Sequence, residues 1–186
     1  LVCLVGSEMC IRDSYQTVLK YFNEENYHES ERLAKHFLSK QPEDIFCLKI
    51  LGIIYSKSKK LDKALMIYEK LILINKNDPE LFNNLGIIYK NLNQLEQSLT
   101  AFRQAVKLAP QYSDAYYNLS NILEKKGLKN ESLIANQKAA ELGSKNPEVY
   151  SQLGIKFYNS HRLDESISAF QKCIELEPNY AAVSYT

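Results

Sequence analysis

Leu51-Gly52-Ile53-Ile54-Tyr55 returns as Leu85-Gly86-Ile87-Ile88-Tyr89, 34 residues further along the 186-residue chain. The phrase persists as Leu119-Ser120-Asn121-Ile122-Leu123 and Leu153-Gly154-Ile155-Lys156-Phe157, each another 34 residues on. A fixed period of this size marks a repeat array, in which one unit covers its apolar face only by stacking on the next. Such a chain has no single enclosed core, and its work falls to a surface.

Each period reads as two helices. Leu48, Leu51, Gly52 and Tyr55 share one helical face and predict a first helix over about 45–58. A short polar break at Lys57–Lys60 follows. A second helix over about 62–75 carries Ala64, Leu65, Tyr68, Leu71 and Ile72 on one face. Asp78 before Pro79 and Asn146 before Pro147 pair an N-cap residue with proline at the first helical place, and Asp44 and Ser113 are expected to cap similarly. Pro42, Pro110 and Pro178 fall just beyond second helices, where proline blocks continuation. No strand pattern and no linker appears.

Small residues recur in phase. Gly52, Gly86, Ser120 and Gly154 share the eighth place of the repeat; Ser30, Ala64, Ser98, Ser132 and Ser166 share the twentieth. Mid-helix glycine costs about 1 kcal/mol relative to alanine, so its recurrence asks for a packing gain. The expectation is that the paired axes approach closely at these places, and that Gly86→Leu disrupts the third repeat. Tyr68, Phe102 and Phe170, at the twenty-fourth place, are expected to wedge between one repeat and the next.

At these residues the chain resembles the tetratricopeptide-repeat (TPR) family. The third repeat matches the family pattern with Phe82, Leu85, Gly86, Tyr89, Ser98, Phe102, Ala105 and Pro110. The resemblance implies an all-α fold, a right-handed superhelical solenoid of antiparallel helix pairs. Repeats begin near residues 11, 45, 79, 113 and 147, and a sixth is cut off near Ala181. The usual tryptophan is replaced by Leu48, Phe82, Tyr116 and Tyr150. The fourth repeat departs furthest, with Leu123 for tyrosine, Asn136 for the wedge aromatic and Ser144 for proline. A polar Asn136 at a packing place needs a hydrogen-bond partner or solvent, so the joint between repeats four and five is expected to be the loosest.

The two ends fit nothing between them. Cys3 to Asp13 resembles a translated sequencing adapter carrying a transposon end, and Val183-Ser184-Tyr185-Thr186 is what the complementary strand of Cys10-Ile11-Arg12-Asp13 can encode. Residues 1–14 and 182–186 are therefore read as non-native tags, and 15–181 as the array, a fragment of a longer protein.

Net charge is +1, which gives no electrostatic case for nucleic acid or an anionic membrane. No apolar run reaches the length of a membrane span, and a cytoplasmic setting is expected. Cys47 and Cys173 stand alone at helical places, without CxxC spacing, as reduced small hydrophobes. His28, His36 and His161 are isolated, and no HExxH, GxSxG, GxxxxGK[ST] or GxGxxG motif occurs. No catalytic residue, metal ligand or cofactor is expected.

The family resemblance places first helices along an inner groove. The groove-facing residues it implies are Lys49, Lys57, Asn83, Asn84, Lys90, Asn91, Tyr117, Asn118, Asn121, Gln152, Tyr158 and Asn159. Asparagine both donates and accepts, so a line of them can grip an extended peptide backbone. Replacing Asn84 and Asn118, taken as exposed, should weaken binding without loss of stability. The leading expectation is a scaffold that binds a peptide or protein segment in this groove. The alternative is the substrate-presenting arm of a larger enzyme. Asn84, Asn118, Gln16 and Gln152 resemble the asparagine ladder of O-linked N-acetylglucosamine transferases, broken at Ile50, and a sulfotransferase is a second such enzyme. The family's chaperone-tail clamp fits only at Lys49 and Asn84, since Asp114 would repel a carboxylate. Self-association through Ile167, Phe170 and Ile174, at the end of the last complete repeat, is a third expectation.

Overall fold

The computed structural model describes residues 8–179, with side chains from Tyr15 onward. The readings placed on 1–7 and 182–186, and on a sixth repeat near Ala181, lie outside the described residues. Among the described residues there are ten α-helices and no strand: α1 (Glu8–Asn23), α2 (Tyr27–Lys40), α3 (Ile45–Lys57), α4 (Leu61–Ile74), α5 (Pro79–Asn91), α6 (Leu95–Leu108), α7 (Ser113–Lys125), α8 (Lys129–Glu141), α9 (Pro147–Asn159) and α10 (Leu163–Leu176). They fall into two compact units divided between Leu92 and Asn93, the first holding α1–α5 and the second α6–α10. Within each unit every helix packs on the next in sequence.

The helix starts follow the cap chemistry. Asp44 accepts the Cys47 N–H at 2.8 Å, and Asp78 and Asn146 accept those of Glu80 and Glu148 at 3.0 Å, with Pro79 and Pro147 at the first turn. Ser113 departs from expectation. It is the first helical residue, after Tyr112 at the N-cap, and its hydroxyl donates to the Ala139 carbonyl at 3.0 Å. A serine displaced by one place cannot reach its own helix's N–H groups and ties α7 to α8 instead.

The turn inside each pair uses one left-handed residue, always at the fifteenth place: Glu25, Lys59, Asn93, Gly127 and His161, with φ of 57°, 57°, 59°, 76° and 58°. Only the fourth repeat supplies glycine there. An L-residue in this region costs about 1–2 kcal/mol through crowding of its Cβ, partly offset by glycine's greater freedom when unfolded. Combining Glu25→Gly, Lys59→Gly and His161→Gly is expected to raise the midpoint of urea unfolding, while the same glycine at Asn93 gains least because asparagine tolerates the conformation. A lowered midpoint for the triple variant would contradict this.

The small residues bring the paired helices together as expected, and do more than make room. The twentieth-place serines are hydrogen-bonded cross-links as well as spacers. Ser30 Oγ donates to the Val18 carbonyl at 3.1 Å, Ser132 to Ser120 at 2.9 Å and Ser166 to Gly154 at 2.8 Å. Each acceptor occupies the eighth place of the same repeat, and each donor is buried. The eighth-place glycine itself makes room for the twenty-fourth-place ring. A Cβ on Gly52 would sit 2.8 Å from Tyr68 Cε2, and one on Gly154 2.6 Å from Phe170 Cε1. The ring therefore lies over the glycine of its own pair. Tyr68 also reaches the following repeat, where its hydroxyl is hydrogen-bonded to Asn84.

Repeat four adapts to its missing ring. Asn136 is fully buried, and its Nδ2 donates to the Val149 carbonyl at 3.1 Å, joining α8 to the start of α9. Its Oδ1 has no partner. Where the ring is gone the glycine is gone too: Ser120 takes the eighth place, its hydroxyl turned back to the Tyr117 carbonyl at 2.8 Å. Lys156 stands at the tenth place, where Ile54, Ile88 and Ile122 are core residues. It extends to Ser132 Oγ at 2.8 Å and Glu124 Oε2 at 3.1 Å, a polar tie between repeats four and five.

Candidate protein-interaction surface

In repeats one, two and four the fifth place is a latch. Its side chain reaches the N-cap residue of the next repeat's first helix, 29 residues on. Tyr15 donates to the Asp44 carboxylate, and Lys49 donates to Asp78 Oδ2 at 2.8 Å. Tyr117 reaches the equivalent cap, Asn146, and bonds Asn121 on its own helix. The electrostatics follow. The hydrogen bond to Asp44, then burial, pushes the Tyr15 phenol up to about 12. The hydrogen bond to Asp78 raises Lys49, which also pairs with Glu80 at 3.5 Å. Burial raises Tyr117.

In the first unit the latch alters the expected surface. Lys49 has two carboxylates of its own chain beside it, so its charge is already answered. Asn83 is 5% exposed and offers no face to a ligand, contrary to its assignment to the groove. Asn84 is half-buried and engaged with Tyr68, whose phenol burial pushes up to about 12. It is thus a bridge between repeats, and the expectation of an exposed side chain fails. Asn118 is likewise half-buried. Lys90 is half-buried and Asn91 exposed near the end of α5.

In the second unit three expected residues come together. Gln152 Nε2 donates to Asn121 Oδ1 and to Glu148 Oε1, both at 3.1 Å. Asn121 in turn bonds Tyr117. The result is a half-buried polar seam joining α7 to α9. Further along α9, Ile155 and Tyr158 are 49% and 62% exposed, and Asn159 is exposed beside them. Sequence reasoning missed Asp78, Glu80, Asn146 and Glu148 as partners of these side chains. The recurring separation of 29 residues was the available signal.

None of these groups is arranged for catalysis. The Lys156 ammonium beside the Ser132 hydroxyl has the composition of a Ser–Lys pair. But Ser132 is fully buried, its proton is directed at the Ser120 carbonyl, and Lys156 is held by Glu124. Cys47 is buried, which together with the Asp44 carboxylate pushes its thiol up to about 12, far from a reactive thiolate. Among the described residues no three His, Cys, Asp or Glu gather as metal ligands, and no helix is long and apolar enough to cross a membrane.

Family models agree with the periodicity. A model described as "TPR repeat" matches residues 88–127. Models described as "Tetratricopeptide repeat" match 67–100, 147–180, and 50–78 with 113–146. The chain belongs to the tetratricopeptide-repeat family. Two of the matched segments, 113–146 and 147–180, coincide with the repeat frame read from the sequence. No curated protein sequence matches at a significant level. Solved structures share the fold. One of MamA is 21% identical with a TM-score of 0.74, covering 88% of this chain and 95% of that one. MamA 41-end from Desulfovibrio magneticus RS-1 is 19% identical with a TM-score of 0.76, covering 91% and 96%. YrrB, described as a TPR protein with an unusual peptide-binding site, is 15% identical with a TM-score of 0.69, covering 90% and 87%. The TPR chain is a protein-interaction scaffold, and no catalytic domain is indicated within it.

Proposed function

We propose that the α7–α9 face of the second unit binds an extended segment of a partner protein. The observation that carries this is Gln152, held to Asn121 and Glu148 by hydrogen bonds at 3.1 Å before any ligand arrives, with Tyr117 next to Asn121. Side chains already held in one rotamer lose less entropy on binding. Amides can meet both the N–H and the C=O of a peptide backbone. Ile155 and Tyr158 add apolar area beside the seam, and a tyrosine at such a place gives contact surface with a polar tip. The peptide-binding site named for YrrB is a property of that protein, and its shared fold supports the same class of ligand here. In the first unit Lys49 and Asn84 act as structural bridges, so the reading centres on α7 and α9.

A displayed library of random linear peptides tests it. Sequences enriched on the full chain are expected to lose at least tenfold in affinity on Tyr158→Ala combined with Gln152→Ala, with helical content retained. Enriched peptides that bind this variant as tightly as the parent would place recognition elsewhere.

A further inference from the structure

The eleventh place of the repeat carries a ring in four of five repeats: Tyr21, Tyr55, Tyr89 and Phe157. The Tyr55 ring has three lysines about it, one of them Lys60, 5.9 Å from its centroid. Lys35, at the twenty-fifth place of the preceding repeat, lies 6.0 Å from its centroid, and Lys63, at the nineteenth place of its own, lies 5.8 Å away. Its hydroxyl donates to Glu31 Oε1 at 3.1 Å. Tyr89 is hydrogen-bonded to Glu69, again at the twenty-fifth place of the preceding repeat. Phe157 lies under the Arg162 guanidinium, 4.5 Å from its centroid.

Leu123 is the exception. Beside it the second unit has a cavity of about 500 Å³ between α6, α7 and α8, walled by Tyr116, Leu119, Leu123, Ile134 and Ala135. Leu128 stands where Lys60 does, and the places of Lys35 and Lys63 are held by Arg103 and Glu131. Both line the cavity, and they pair with each other at 3.0 Å. Ile134, on the wall, is 65% exposed. Repeat four thus keeps a cation, Arg103, at the place of Lys35 and carries an acid, Glu131, at that of Lys63, beside a space with no ring at the eleventh place.

We propose that this cavity receives a tyrosine side chain from a partner protein, seated over Leu123 between Arg103 and Glu131. The guanidinium attracts the ring face. The Glu131 carboxylate, at the rim of the cavity, accepts the phenol proton. The Arg103–Glu131 pair must part to admit the ring. Both side chains are about half exposed, so little stability is lost in opening it. Tyr116, Leu119 and Leu123 lie on a different face of α7 from Tyr117 and Asn121, so this is a second surface, independent of the α7–α9 seam.

The test is NMR titration of the full chain with p-cresol, the tyrosine side chain in isolation, alongside 3-methylbutan-1-ol as an aliphatic of similar reach. Saturable shifts are expected at the amides of Leu119, Leu123, Glu131 and Ala135. Leu123→Tyr supplies the ring from within and should abolish them. Arg103→Ala, on the surface and harmless to the fold, should weaken p-cresol binding severalfold. Absence of saturation, tighter binding of the aliphatic alcohol, or p-cresol affinity unchanged in both variants would each overturn the proposal.

Discussion

Gly52→Leu is expected to unfold the second repeat locally and lower stability by about 3 kcal/mol or more, the upper end for overpacking. The first carbon alone would meet Tyr68 Cε2 at 2.8 Å and Ile67 Cγ2 at 3.4 Å. Tyr68 cannot swing away cheaply, because it is 2% exposed and its hydroxyl is tied to Asn84. Gly52→Ala makes the sign diagnostic. In an open helix alanine gains about 1 kcal/mol over glycine, so a loss at this position can only come from the contact. Gly154 presents a closer contact, 2.6 Å to Phe170 Cε1, yet Gly154→Leu should cost less. Phe170 is only partly buried and its ring has somewhere to go. Urea unfolding with hydrogen exchange on α3 and α4 for Gly52, and on α9 and α10 for Gly154, reads both effects. A larger loss at Gly154 than at Gly52 would show that ring confinement does not set the cost.

The fold was legible because the repeat writes the same constraint many times. Asp78-Pro79 and Asn146-Pro147 fix helix starts locally, and the eighth and twentieth places reveal a contact by recurring together. What the periodicity hides is the partner of a polar side chain. Ser132 and Ala64 look equivalent as small residues, but only serine can bond the eighth-place carbonyl. Lys49 and Asn83 share a place that resemblance assigned to a groove. The fold gives Lys49 the Asp78 cap and buries Asn83. Their surroundings depend on the next repeat's side chains, which differ from one joint to another. The seam of Tyr117, Asn121 and Gln152 could be proposed residue by residue, yet its connection through Gln152 Nε2 needed coordinates. Leu123 was visible as an exception in the pattern. That it borders a cavity beside Arg103 and Glu131 was not, because a missing ring is seen in sequence and the space around it only in three dimensions.

Restoring the repeat pattern in the fourth repeat should stabilise it: Ser120→Gly with Asn136→Phe is expected to gain about 2 kcal/mol. The unpartnered Asn136 Oδ1 carries a burial penalty of about 1–3 kcal/mol, which the change removes. A buried phenylalanine adds about 1.5–3 kcal/mol. Against this stand the Asn136–Val149 hydrogen bond, worth about 1 kcal/mol, and glycine's helix penalty of about 1 kcal/mol. The substitutions must be made together. With Asn136→Phe alone, the new ring would meet the Ser120 side chain where Gly52 and Gly154 leave room for Tyr68 and Phe170. Ser120→Gly alone loses helix propensity and gains no contact. The double variant should therefore exceed the sum of the singles, the signature of residues in direct contact. Because a repeat array opens by segments, the readout is slower amide exchange across α8 and the first turn of α9, followed alongside global unfolding. Additive effects would mean that the new ring does not lie over the eighth place of its own repeat, and protection confined to α8 that it does not reach the following repeat.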